Sequence, residues 1–207
     1  MKSKGLLLRK SLLYLILDRP VFPKRVLGSV GIIQLRDKVS NRRRVFEQAA
    51  GLARSLAKSR TLFIVNDYAD IALLSGADGV HLGQGDLPLK EARKMMGKEK
   101  IIGVSCHNLS QAVKAQADGA DYIGIGPVYR SATKPECEAI GIGELRRLRN
   151  KISIPYFAIG NINRENLGEV INAGCGRAAV CRAILEAGRP DAAAKNLFSI
   201  LNQAVIK

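Results

Sequence analysis

The chain has 207 residues, 47% of them apolar and 25% charged, which is ordinary for a packed soluble protein. It contains no run of about 18 or more apolar residues, so a membrane-spanning helix is not expected. Its 33 Lys+Arg against 18 Asp+Glu leave a net charge of +15, which points to anionic partners or to a basic solvated surface.

Read in chain order, the opening "MKSKGLLLRKSLLYLILDRP" imitates a signal peptide, with lysines before leucines. Arg9 and Lys10 interrupt the apolar run and no small-residue cleavage site follows, so it reads as a basic lead-in to a first strand, in a cytoplasmic protein. Short β-branched runs then alternate with amphipathic stretches. Strands are predicted over 12–18, 30–36, 61–67 and 79–83, and again over 100–105, 121–127, 154–160 and 177–183. Their runs are continuously apolar rather than alternating, as expected of parallel strands buried on both faces. Stretches such as "RRVFEQAAGLARSLAKS", "SQAVKAQADGA" and "RENLGEVINAG" read as the intervening helices, several closing on Gly. Eight such units predict a (β/α)8 TIM barrel spanning 1–207 as one domain. A doubly wound sheet is the weaker reading, because no Gly-rich dinucleotide fingerprint follows the first strand. The four cysteines, Cys106, Cys137, Cys175 and Cys181, show neither CxxC pairing nor zinc spacing and fit reduced thiols.

A barrel builds its active site at the C-terminal ends of its strands. The residues gathered there are Asp18, then Gln34, Arg36 and Lys38, then Asn66 and Asp67, then His81, Gln84 and Asp86. Ser105 and His107 follow the fifth strand, Ser131, Thr133 and Lys134 the sixth, Gly160 and Asn161 the seventh, and Cys181 and Arg182 the eighth. Gln34, Arg36 and Lys38 alternate, so a continued extension points all three to one side, as a grip for an acidic ligand. With two carboxylates, Asp67 and Asp86, the set suits a metal-bound polyphosphate, since Mg²⁺ prefers one or two carboxylates plus phosphate oxygens and water. Either aspartate also reads as a helix cap or turn residue. His81, between Val80 and Leu82, reads as a satisfied histidine near the rim, and His107 as a loop or cap residue. Spacing reveals no His-and-acid partner for Ser105, which argues against a nucleophile.

The segments "QLRDK", "VNDYADIALLSGADGVHLGQGDLPLKEAR", "IIGVSCHNL", "ADYIGIGPVY" and "TKP" resemble the thiamine-phosphate synthase family in order and in place, from about Tyr14 to Ile184. The resemblance implies a (β/α)8 barrel that joins 4-amino-5-hydroxymethyl-2-methylpyrimidine diphosphate to 4-methyl-5-(2-hydroxyethyl)thiazole phosphate with Mg²⁺, releasing pyrophosphate. It implies that Gln34, Leu35, Arg36, Asp37 and Lys38 grip the pyrimidine diphosphate with Asn66, Ser105 and Lys134. On the same basis Asp67 and Asp86 hold Mg²⁺, while Ser131, Ala132, Thr133, Gly160, Cys181 and Arg182 receive the thiazole phosphate. Arg36, Lys38, Ser105 and Lys134 are the catalytic candidates.

The chain departs from that pattern at Ser131-Ala132-Thr133-Lys134 in place of Thr-x-Thr-Lys, at Asn161 in place of a second Gly, and at Arg182 in place of Ser, so the thiazole half is the altered one. The thiazole tautomerase branch of the same fold is the nearest alternative, but it carries His where Pro127 stands. A non-catalytic phosphate-ligand sensor or a nucleic-acid binder also answers the charge. No helix-turn-helix, RRM or zinc motif supports nucleic acid, and the expected partners are small phosphorylated substrates, with no membrane and a possible homo-oligomer.

Overall fold

Alternation along each strand divides the apolar residues into two cores. In the computed structural model, which describes residues 4–18, 23–130 and 138–206, Leu13, Leu15 and Leu17 of β1 (Leu13–Leu17) face the surrounding helices while Tyr14 and Ile16 face inward. The same split separates Ile33 and Leu35 from Ile32 in β2 (Ile32–Leu35), and Phe63 and Val65 from Leu62 and Ile64 in β3 (Leu62–Asn66). Each strand is therefore buried on both faces, which is why its sequence reads as an unbroken apolar run.

The remaining strands are β4 (Gly79–Leu82), β5 (Ile101–Cys106), β6 (Tyr122–Ile125), β7 (Tyr156–Ile159) and β8 (Ala178–Val180). All pair in parallel with their sequence neighbours, and β1 pairs with β8 through Leu13↔Ala178 to Leu15↔Val180, closing the barrel. Each predicted strand is present, the fifth shifted by one residue and the other seven shortened by one to four. The sixth stops at Ile125 because Pro127 has no N–H to extend a ladder.

Helices α2 (Arg42–Leu56), α3 (Ala69–Leu74), α4 (Leu89–Met96) and α5 (Leu109–Ala117) follow β2 to β5 in turn. They are followed by α6 (Gly141–Leu148), α7 (Leu167–Asn172), the short α8 (Arg182–Leu185) and α9 (Pro190–Ile206). Asn41 and Asn108 cap α2 and α5 by accepting from the Arg44 and Gln111 backbone N–H groups. Gly97, with φ 71°, ends α4.

Two elements lie outside the stretches named as helices above. The basic lead-in forms a helix, α1 (Lys4–Lys10), whose Leu8 is 4% exposed and packs with Tyr14 and Ile32 on the barrel's inner core. The segment after Ile184 forms α9, whose Ala194, Leu197 and Leu201 are buried in the outer core. Among the described residues no helix is long and apolar enough to cross a membrane.

Candidate active site

At the C-terminal ends of the strands lie two adjoining cavities that share Arg36, Ser105 and His107 in their walls. The first, about 360 Å³, is lined by Gln34, Lys38, Asn66, Asp67, Gln84 and Asp86 from the ends of β2 to β4. The second, about 470 Å³, is lined by Asp18, Gly126, Arg130, Gly160, Cys181 and Arg182 from the ends of β1 and β6 to β8.

The alternation of Gln34, Arg36 and Lys38 survives beyond the end of β2, and all three line the first cavity. Gln34 lies deepest, 2% exposed, with its Nε2 donating to Tyr14 Oη at 2.7 Å. Lys38 reaches across to the Asp67 carboxylate.

The two residues between them line neither cavity. Leu35 is 1% exposed and packs in the outer core between barrel and helices, because its neighbours face inward and it must face out. Asp37 turns the other way as well. Its carboxylate accepts from the Val39 N–H at 2.9 Å, the Ser40 N–H at 2.8 Å and Gln48 Nε2 at 3.2 Å. Partial burial would raise its pKa, but these donors outweigh it and pull the carboxyl down to about 2. Asp37 thus pins the loop that carries Lys38. Asp37→Ala removes these bonds, and thermal melts should show a loss of about 1 kcal/mol at neutral pH. The wild-type advantage is present above the ordinary carboxylate value of 3.8 and fades as pH falls toward 2, so the two proteins should converge in acid.

Asp67 and Asp86 face one another in the first cavity. Asp67 has a left-handed backbone with φ 64°, unusual for a residue other than Gly and found where a site imposes it. Neither aspartate caps a helix: Tyr68 and Pro88 occupy the cap positions of α3 and α4. Asp86 does hold a turn, with its Oδ2 accepting from the Gly83 N–H at 2.6 Å. Burial raises the Asp67 pKa, and the Asp86 carboxylate raises it further against the pull of Lys38. Asn66, 8% exposed at the end of β3, completes this wall.

Ser105 stands between the cavities with its Oγ 2.9 Å from His81 Nε2, a partner that sequence spacing did not reveal. His81 Nδ1 lies 2.9 Å from Tyr122 Oη rather than against a carboxylate, so the pair is no nucleophile–base–acid array. His107, read as a loop or cap residue, lies in the loop between β5 and the Asn108 cap, and from there it lines both cavities, with Nδ1 2.5 Å from the Gly126 carbonyl.

In the second cavity Gly160 has φ 106° and Asn161 φ 49°, a left-handed pair in which Asn is among the better-tolerated side chains. A Cβ at Gly160 would meet Pro127 at 2.5 Å, so glycine is required by both dihedral and space. Burial, with Asp18 beside it, pushes the Cys181 thiol up to about 12, which keeps it protonated and unreactive at neutral pH. Arg182 lies at the cavity wall but is half-exposed, with its Nε 3.7 Å from Glu186 Oε1. Arg130, which the sequence reading passed over, lines the same cavity. Ser131, Ala132, Thr133 and Lys134 lie outside the described residues.

Comparison with known proteins gives this architecture its relatives. The thiamine-phosphate synthase of Clostridium acetobutylicum is 38% identical over 200 residues, covering 92% of this chain and 95% of that protein. The thiamine-phosphate synthase of Methanocella arvoryzae is 43% identical over 189 residues, covering 90% of this chain and 89% of that protein. Among solved structures, the thiamine phosphate pyrophosphorylase from Pyrococcus furiosus superposes with a TM-score of 0.86 at 33% identity, over 97% of this chain and 99% of that one. The profile of the family described as thiamine monophosphate synthase matches residues 21–184, which carry seven of the eight strands and nearly all of both cavity walls, and the chain belongs to that family of transferases.

Proposed function

We propose that this barrel joins 4-amino-5-hydroxymethyl-2-methylpyrimidine diphosphate to 4-methyl-5-(2-hydroxyethyl)thiazole phosphate, releasing thiamine phosphate and pyrophosphate, with the diphosphate in the first cavity and the thiazole in the second. The observation that carries this reading is the pair of adjoining cavities, one walled by Gln34, Arg36, Lys38 and two facing carboxylates, meeting the other at Ser105.

The chemistry asks for charge stabilisation and alignment rather than a protein nucleophile. The bond between the pyrimidine methylene carbon and the diphosphate oxygen breaks with its electron pair leaving on oxygen. The aminopyrimidine ring carries the cation, and the thiazole nitrogen supplies the pair for the new carbon–nitrogen bond. Arg36 and Lys38 offset the charge that develops on the departing diphosphate, with Lys134 a third candidate. Ser105 and Asn66 orient the pyrimidine substrate beside them. Holding the two reactants in adjoining cavities turns a bimolecular encounter into a positioned one. Gly160, the Cys181–Arg182 segment and Ser131 to Thr133 are assigned to the thiazole phosphate.

The carboxylate pair suits Mg²⁺. Two facing carboxylates, one of them largely buried and raised in pKa, are an arrangement that a hard divalent cation relieves. Asp67 and Asp86 would hold it, and when bound it would neutralise the diphosphate as a Lewis acid.

The direct test is incubation of the purified protein with both substrates and Mg²⁺. Pyrophosphate and thiamine phosphate should form in equal amounts, and their absence would overturn the reading. The division of the cavities is tested by Arg36→Ala and Lys38→Ala. Each should raise the Michaelis constant for the pyrimidine diphosphate by roughly ten- to a hundredfold, from the loss of about 1.5–3 kcal/mol per charged hydrogen bond. Lys38→Ala should leave that for the thiazole phosphate nearly unchanged, since Lys38 lines the first cavity only. Equal losses for both substrates would count against the assignment.

A further inference from the structure

A continuous chain of polar side chains crosses the barrel interior at the floor of the first cavity. Gln34 Nε2 donates to Tyr14 Oη at 2.7 Å, Tyr14 Oη lies 2.8 Å from Tyr122 Oη, Tyr122 Oη 2.9 Å from His81 Nδ1, and His81 Nε2 2.9 Å from Ser105 Oγ. Each link joins a different strand, β2 to β1 to β6 to β4 to β5. Both tyrosines are fully buried, and burial holds their hydroxyls protonated far above neutral pH.

The direction of every proton follows from the first link. A side-chain amide nitrogen only donates, so Tyr14 accepts from Gln34 and must place its own proton elsewhere. Among the described residues its other hydrogen-bond partner is Tyr122, which therefore accepts from it. Tyr122 in turn gives its proton to His81 Nδ1, and an imidazole that accepts at Nδ1 and is neutral carries its hydrogen on Nε2. That hydrogen goes to Ser105 Oγ, whose own O–H is then left to point into the cavities that Ser105 lines.

We propose that Gln34, Tyr14, Tyr122 and His81 form a polarity relay that locks His81 as the neutral Nε2–H tautomer and makes Ser105 a hydrogen-bond donor to an acceptor atom of the ligand. The identity of that ligand, the pyrimidine substrate, rests on the proposed function; the polarity of the relay does not. Ser105 touches substrate, while Tyr14, Tyr122 and His81 are positioning residues that act through it. The arrangement explains why aromatic hydroxyls occupy an interior that Phe would fill equally well: Phe157 packs edge-on against both tyrosine rings without joining the chain. Links that polarise one another in a buried interior also hold the serine rotor more firmly than a single bond would.

The test reads the tautomer directly. The chain has two histidines, so proton–nitrogen correlation spectra of ¹⁵N-labelled free protein contain two imidazoles, assigned with His107→Gln. His81 should show a bare Nδ1 and a protonated Nε2 at neutral pH. In Tyr122→Phe the Nδ1 loses its donor, and the single-tautomer signature should give way to a mixture. In the same variant kcat should fall about tenfold, the loss of one oriented hydrogen bond, with the thiazole phosphate Michaelis constant unchanged. Tyr14→Phe, one link upstream, should shift both readouts in the same direction, and Ser105→Thr should retain most of the kcat that Ser105→Ala loses. A wild-type spectrum with hydrogen on Nδ1, or on both nitrogens, overturns the relay, as does a folded Tyr122→Phe with wild-type kcat. A protein that forms no pyrophosphate yet shows the Nε2–H tautomer would sink the proposed function and leave the relay standing.

Discussion

Asp67→Asn and Asp86→Asn should each reduce pyrophosphate release by about a hundredfold or more at saturating substrates, the scale expected when several kcal/mol of charge stabilisation on a leaving phosphate is lost. Asn is the informative replacement. It tolerates the positive φ of 64° at Asp67, and at Asp86 its amide oxygen still accepts from the Gly83 N–H. Both variants should therefore fold, and the loss should not be recovered at any Mg²⁺ concentration that saturates the wild type.

Stability should move the other way at Asp67. Its pKa is raised in the folded protein, so its contribution is largest below the ordinary value of 3.8 and is lost as pH rises through the raised value. At neutral pH the charge weakens the fold, and Asp67→Asn should melt at or above the wild-type temperature while losing turnover. Near-wild-type activity in either variant would remove the two carboxylates from the site.

The second large effect is predicted for Gly103→Ala, where the expectation is structural. Gly103 sits opposite Tyr122 across the β5–β6 ladder, and an added Cβ would stand 2.0 Å from the tyrosine Cζ and 2.5 Å from its Oη. The ring cannot retreat, because Tyr14, Phe157 and His81 pack around it. Overpacking of this kind costs about 1–3 kcal/mol or more, which lowers the melting temperature by roughly 2–4 °C per kcal/mol in a chain of this size. Activity should fall with it, since the tyrosine hydroxyl is displaced from His81. Gly51→Ala is the matched control. It lies inside α2 with nothing within 4 Å of the added Cβ, and there the substitution should stabilise by about 1 kcal/mol through helix propensity. A Gly103→Ala protein that melts with the wild type would show that the interior is less tightly filled than these contacts require.

The barrel was legible in the chain because its signals are local. A parallel strand buried on both faces must be apolar at every position, and the turn residues that end each helix lie next to it, so eight strands could be read in order with errors of a few residues at their ends. The same locality located the walls of the first cavity. Strand period alone puts Gln34, Arg36 and Lys38 on one side, and the structure keeps them there. The family motif "QLRDK" also includes Leu35 and Asp37, whose side chains the two-residue period sends to the outer core and to a loop-pinning turn.

Only the tertiary structure decided what meets across the interior. Tyr14 and Tyr122 are 108 positions apart, and His81 and Ser105 are 24 apart, so no periodicity links them until closure of β1 onto β8 brings eight inward faces together. The basic lead-in is likewise a helix, whose Leu8 packs in the inner core with Tyr14 of β1 and Ile32 of β2. Local backbone preference names the elements; the burial of polar groups, which must be paired wherever closure puts them, fixes which of those residues work together.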